Sequence, residues 1–304
     1  MTDPVLHHFD ASPFAEKVRV SLGLKTIAWR SVQIPMVMPK PDLTALTGGY
    51  RKTPVMQIGA DIYCDTQLIA RELESRYPGP SLFPCGTQGH CHAIASWADT
   101  MLFRPGAGLS MGTNLDLPQD ILDDRFAFFD FLDQAALPRQ LPELFAQFRA
   151  NLQCIEDMLA DGRSFLLGEA PGWADAACYA PVWMCRGNIR GAAVLLQNLP
   201  LLQAWEQRVK ALGHGDRSEM QAEEALAISC QAQSGAVAGL ADDCWPQLAV
   251  GAPVSVEPDD YGAVPVRGEL VRLTQHEVAV RRMDERAGEV VVHFPRTGYK
   301  VTEQ

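Results

Sequence analysis

No two of the eight cysteines are spaced as CxxC, and neither an internal repeat nor a low-complexity tract interrupts the 304 residues. The first absence removes the usual dithiol and zinc-ribbon motifs, and a chain of this size does not need disulfide staples, so the cysteines read as mostly reduced thiols. No stretch approaches the roughly 20 apolar residues of a membrane-spanning helix, so a chain without such a helix is expected. Positive charge is scarce: 26 Lys and Arg face 37 Asp and Glu, a net charge of −11 that repels phosphate backbones and argues against nucleic acid as a partner. The opening MTDPVLHHFDASPF has neither the basic region nor the apolar run of a secretion signal, so a cytoplasmic location is expected.

What is present is globular, with 47% hydrophobic and 21% charged residues, and long enough for about two domains, or three. PVLHHF (4–9) reads as a strand. Ser12-Pro13 then supplies a hydroxyl N-cap and a proline at the first helical position. Phe14, Val18 and Leu22 form the apolar face of the helix that follows, with Glu16, Lys17 and Arg19 off that face. TIAWRSVQI alternates as a second strand. Prolines 35, 39 and 41 and Gly48-Gly49 mark residues 35–50 as a loop. TPVMQIGADIYC reads as a hairpin turning at Gly59-Ala60-Asp61, and Asp65 caps a helix over 65–76 that Tyr77-Pro78-Gly79-Pro80 ends.

The sum is βαβ, loop, ββα over residues 1–80, an α/β thioredoxin-like order. From 90 to 240 strand signals give way to helical ones, at 90–104, 119–135, 141–160, 173–187 and 198–212, which predicts an all-α domain. Beyond Trp245-Pro246, VSV, GELVRL, EVAVRR and EVVVHF between Pro, Gly and Asp predict a small antiparallel β module over 246–304. Arg281-Arg282 and Arg286 lend it a modest basic face.

This order, with its proline-rich linker, is similar to the soluble glutathione transferases, and local motifs carry the resemblance. Ser12-Pro13-Phe14 followed by Lys17-Val18-Arg19 looks like that family's active-site turn and first helix. The resemblance implies that Ser12 sits beside the glutathione sulfur, with Phe14 next to it. Thr53-Pro54 resembles the family's residue-plus-cis-proline step, which offers backbone to the cysteinyl part of glutathione; X-Pro is where cis bonds occur. Asp65-Thr66 resembles the acidic-plus-hydroxyl pair at the γ-glutamyl end. Lys40 matches in spacing a lysine aimed at the glycyl carboxylate. Phe165-Leu166-Leu167-Gly168 and Ala174-Asp175 resemble the capping motif of a central helix, with Gly172 standing where Ser or Thr is usual. The likeness spans about residues 4–240 and leaves the last sixty or so outside it.

The chemistry agrees with that assignment. A cysteine thiol ionises near pH 8.5, so using it as a nucleophile at neutral pH requires a donor and positive potential; Ser12 at a helix N-terminus offers both. Glutathione, as co-substrate, needs a cation at one end and a carboxylate at the other, which Lys40 and Asp65 match. Serine in place of cysteine argues against thiol-disulfide exchange by the protein itself. The expected partners are glutathione and a small electrophile, and the resemblance implies a homodimer. Met101, Phe103, Arg104, Trp183 and Met184 are candidates to line an apolar pocket between the halves.

Each residue has a plainer reading beside this one. Ser12 and Asp65-Thr66 can be helix caps alone, and Lys40 a solvated charge. Cys85, His90, Cys91 and His92 are adjacent in a way that suits metal coordination poorly, so no metal is expected. A non-catalytic scaffold of the same fold is the alternative function.

Overall fold

The computed structural model describes residues 3–241 and 248–304; Cys244 and the expected boundary at Trp245-Pro246 lie outside them. The first seven elements are β1 (Val5–His8), α1 (Pro13–Leu24), β2 (Ala28–Gln33), α2 (Pro41–Thr47), β3 (Val55–Ile58), β4 (Asp61–Cys64) and α3 (Thr66–Arg76). β1 runs parallel to β2 and antiparallel to β3, which turns tightly into β4. This is the thioredoxin-like order. The loop expected over 35–50 contains α2: Pro41 sits in its first turn and Gly48, at φ 77°, closes it in the left-handed region that glycine enters freely.

Helices follow: α4 (Gln88–Trp97), a π-turn over Ala98–Leu102, α5 (Phe103–Gly112), α6 (Gln119–Phe128), α7 (Leu137–Met158), α8 (Trp173–Asn188), α9 (Ala192–Leu195) and α10 (Pro200–Lys210). Two strands interrupt the stretch expected to be purely helical. β5 (Asp216–Glu219) adds to the open edge of β2 in parallel, and β6 (Gly239–Leu240) follows α11 (Ala222–Gln231). The charged sequence of β5 gives no strand signal; the unpaired edge of β2 recruits it.

β7 (Pro253–Pro258), β8 (Val266–Leu273), β9 (Glu277–Asp284), β10 (Gly288–Pro295) and β11 (Tyr299–Glu303) form the antiparallel C-terminal strands. They do not stand apart. β10 pairs in parallel with β4, so the described strands make one sheet ordered β11-β7-β8-β9-β10-β4-β3-β1-β2-β5, with β6 on β8. The period-two rule sorts its faces. Ile62 and Cys64 of β4 and Val290, Val292 and Phe294 of β10 bury against α2 with Leu43 and Leu46, while Met56 and Tyr63 face the core shared with α1, α3, α4 and α8.

Two local details position the halves. Asp175, in the first turn of α8, accepts from the backbone N–H of Leu166 and of Gly172 (both 2.9 Å) and from Trp205 Nε1 (2.8 Å). Half of a capping box is thus kept. A Cβ at Gly172 would lie 2.9 Å from the Leu82 carbonyl oxygen, which explains glycine where a hydroxyl residue is usual. On α1, Glu16, Lys17 and Arg19 are not solvated but buried. Arg19 pairs with Glu16 at 2.7 Å, and Lys17 with Asp99.

Candidate functional site

A cleft of about 540 Å³ opens where the N-terminal strands, the helices and the C-terminal strands meet, and Ser12, Phe14, Lys40, Thr53, Pro54, Asp65 and Thr66 all line it. Ser12 is placed by the start of α1. Its extended backbone turns Oγ onto the N–H of Ala15 (3.2 Å), capping the helix. Among the described residues this is the side chain's one hydrogen bond, as acceptor, so its O–H is free to donate into the cleft. The capping and the chemical readings therefore coexist in one atom, beside the positive end of α1. Phe14 meets Phe103 edge-on, ring centres 4.7 Å apart.

Lys40 is buried at the start of α2. Its Nζ donates to the Arg51 carbonyl (3.3 Å) and Thr53 Oγ1 (3.4 Å) and has no carboxylate within ion-pair distance among the described residues. Burial, then the charges of Arg125 and Arg51, lower its pKa to about 8. The neighbouring cations are matched: Arg51 and Arg125 both hold Asp124 (2.7 and 2.6 Å), and Lys52 holds Asp260. Lys40 is thus a buried cation with room for an anion. The Thr53-Pro54 peptide bond is cis.

At the opposite end, Asp65 adopts φ 73°, ψ 137°, a conformation that residues with side chains rarely enter and that proteins keep at functional positions. Oδ1 accepts from the N–H of Gln67 (2.9 Å), capping α3, and Oδ2 accepts from the Tyr299 hydroxyl (3.1 Å). Thr66 Oγ1 accepts from Lys17 Nζ (3.4 Å). Asp99 lines the cleft on its pairing with Lys17, its carboxyl held above the usual range because burial outweighs that cation.

The remaining wall is aromatic. Tyr261 stacks on Phe103, meets Phe128 edge to face and lies tilted against Phe129, with Arg104 over Phe131 at 5.1 Å and Lys52 over Tyr261 at 4.4 Å. Of the five residues considered for this pocket, Phe103, Arg104 and Met184 line it; Met101 points to solvent and Trp183 lies against Arg19. Gly262 follows Tyr261 at φ 61°, where a Cβ would come 2.3 Å from Phe128.

Tyr50, Lys52, Asp260, Tyr261 and Tyr299 went unnoticed in the sequence, although each lines the cleft. The available signal was an aromatic residue beside a turn glycine, as in Asp260-Tyr261-Gly262 and Thr297-Gly298-Tyr299. Cys85 is exposed, Cys91 buried and His92 half-buried, and among the described residues no three His, Cys, Asp or Glu gather as metal ligands.

Comparison with known proteins agrees with this architecture. Residues 6–81 match the glutathione S-transferase N-terminal domain and residues 120–208 the C-terminal domain. A GST-like protein from Pseudomonas syringae is 37% identical over the whole of both chains, with a TM-score of 0.79. The probable glutathione S-transferase BZ2 of Zea mays is 25% identical over 66% of this chain and 84% of its own. A glutathione S-transferase from Rhodospirillum rubrum shares the fold at 21% identity and a TM-score of 0.54, over 68% of this chain and 88% of that one. The chain belongs to the glutathione S-transferase family.

Proposed function

We propose that this protein is a glutathione transferase that ionises the glutathione thiol at Ser12 and directs it onto a small apolar electrophile. The observation that carries this is the arrangement of the cleft: a free hydroxyl at a helix N-terminus, flanked by the unmatched cation Lys40 and the carboxylate of Asp65. Glutathione lies with its glycyl carboxylate on Lys40, its peptide along the Thr53 backbone, and its γ-glutamyl group at Asp65 and Thr66, where the N-terminus of α3 suits a carboxylate. The sulfur then faces Ser12.

Lowering the thiol pKa by one unit requires about 1.4 kcal/mol of preference for the anion. A helix end supplies about 0.3–2 kcal/mol and a hydrogen bond to a charged group about 1.5–3 kcal/mol, so one to two units are within reach. The thiol proton leaves to solvent. The sulfur lone pair then forms the new bond to a carbon of an electrophile resting on Phe14, Phe103 and Tyr261, while the bond from that carbon to its leaving group breaks and the group departs with its electron pair. A homodimer working in the cytoplasm belongs to the same reading and rests on family membership.

Calorimetry with reduced glutathione tests it, using the wild type beside Ser12→Ala, Ser12→Gly and Asp65→Ala. Glycine keeps a helix cap within a few tenths of a kcal/mol, whereas alanine costs about 1 kcal/mol. Both Ser12 variants are expected to lose thiolate absorbance and turnover while only Ser12→Ala loses stability, and Asp65→Ala to lose binding. A wild type that ignores millimolar glutathione leaves a scaffold instead.

A further inference from the structure

We propose that the C-terminal strands are a working part of the glutathione site, because Tyr299, backed by Tyr50, fixes the carboxylate of Asp65 in the direction that receives the ligand's ammonium group. The inference rests on the glutathione reading given above and deepens it.

The hydrogen-bond directions follow from proton counting. Asp65 Oδ2 lies 3.1 Å from the Tyr299 hydroxyl, and the Tyr299 and Tyr50 hydroxyls are also 3.1 Å apart. A carboxylate only accepts, so the single Tyr299 proton goes to Asp65 and Tyr50 must donate to Tyr299. Both tyrosines are buried, and their rings pack on Phe294 at 5.4–5.8 Å. Two donors now hold Asp65 on different oxygens: the Gln67 N–H from its own helix and Tyr299 from 234 residues downstream. A carboxylate pinned at both oxygens has one orientation left, and the remaining lone pairs address the cleft.

Tyr299 therefore acts through Asp65 and is a positioning residue. Its position is set by β11, which begins at Tyr299 opposite Pro258 of β7. The loop that follows β7 carries Asp260 and Tyr261 into the same cleft. Docking of the extension and affinity for the γ-glutamyl end are then one property. Preorganisation of this kind raises affinity by removing the ordering cost at binding.

The test is calorimetric titration of wild type and Tyr299→Phe with reduced glutathione and with a glutathione analogue lacking the α-amino group. Phenylalanine keeps the ring packing and removes only the hydroxyl. The expected result is about tenfold weaker binding of glutathione to Tyr299→Phe, the scale of one charge-assisted hydrogen bond. The des-amino analogue should bind both proteins alike. Equal affinity of the two proteins for glutathione overturns the inference and leaves the glutathione reading standing. Equal weakening of both ligands also overturns it, since that marks a structural role. Failure of the wild type to bind glutathione removes both. If Tyr299→Phe does not fold, Tyr50→Phe is judged on the same criteria, with a loss of about threefold expected.

Discussion

Replacing His293 by phenylalanine should unfasten the seam between β4 and β10. That ladder has three residue pairs, Val291 with Asp61, Val292 with Ile62 and His293 with Tyr63. Its polar fastening is His293, 2% exposed, whose Nδ1 meets Glu277 at 2.5 Å and whose Nε2 meets Asp61 at 3.1 Å. Phenylalanine keeps the stacking on Tyr63, where the rings are 4.5 Å apart, and removes both N–H groups and the charge. Two hydrogen bonds to charged groups are worth about 1.5–3 kcal/mol each. The loss is moderated because Asp61 keeps Ser234 and the Gly235 N–H and Glu277 keeps Arg272. A net loss of about 3 kcal/mol follows, at the low end for breaking a buried pair.

The pH dependence gives this prediction its sign. Burial lowers the pKa of His293, but Asp61 and Glu277 outweigh it and hold the value above 6.5. The contribution is therefore complete below pH 6.5 and is lost as pH rises through the raised value. Burial pulls Asp61 upward, yet His293, Ser234 and Gly235 bring it below 3.8, so its contribution persists above 3.8 and fades as pH falls through the depressed value. Urea unfolding of wild type and variant over a series of pH values should show a gap of about 3 kcal/mol at about pH 5.5 that narrows as pH rises through the raised value. A gap that stays constant with pH, or one below about 1 kcal/mol at the lower pH, would refute the charged-imidazole account.

The other predictions concern the cleft and the central helix. Lys40→Met should weaken binding of S-methylglutathione, whose sulfur is a thioether with no proton to lose, by about tenfold at neutral pH. Because Lys40 titrates at about 8 in the free protein, the wild-type advantage should shrink as pH rises through that value; titrations across this range check it, and an advantage that is flat with pH counts against Lys40 as the carboxylate partner. Asp175→Ala strands three buried donors, on Leu166, Gly172 and Trp205, and should cost about 3–5 kcal/mol in denaturant unfolding. Its effect on glutathione affinity in the surviving folded fraction should be small.

The N-terminal half was legible because its signals are local. Ser12-Pro13 declares a helix start, Asp65 declares another, and the hairpin around Gly59 follows from alternation on either side of a turn. The cleft-lining residues found in the sequence sit at these junctions, where capping chemistry and ligand chemistry draw on the same side chains. α2 was hidden for a related reason. Pro41 looked like a third loop proline, but at the first turn of a helix its missing N–H costs nothing.

What escaped the sequence is non-local pairing. Asp61 reads as the last residue of a turn, and nothing near it announces that His293 will meet it across 232 positions. β10 carries the same alternation whether it closes a free module or extends the sheet at β4, because period two specifies which residues share a face and not which strand lies beside them. The edge of β4 decides the matter: left bare, it would present unpaired backbone groups, and the parallel docking of β10 satisfies them. Once β10 is there, β9, β8, β7 and β11 follow by antiparallel pairing, and the loops at one end of those strands fall onto the cleft. The route from an acidic turn residue to the tyrosine that orients Asp65 therefore passes through the sheet, and a substitution at the seam, such as His293→Phe, should also weaken glutathione binding in proportion to how far β11 withdraws.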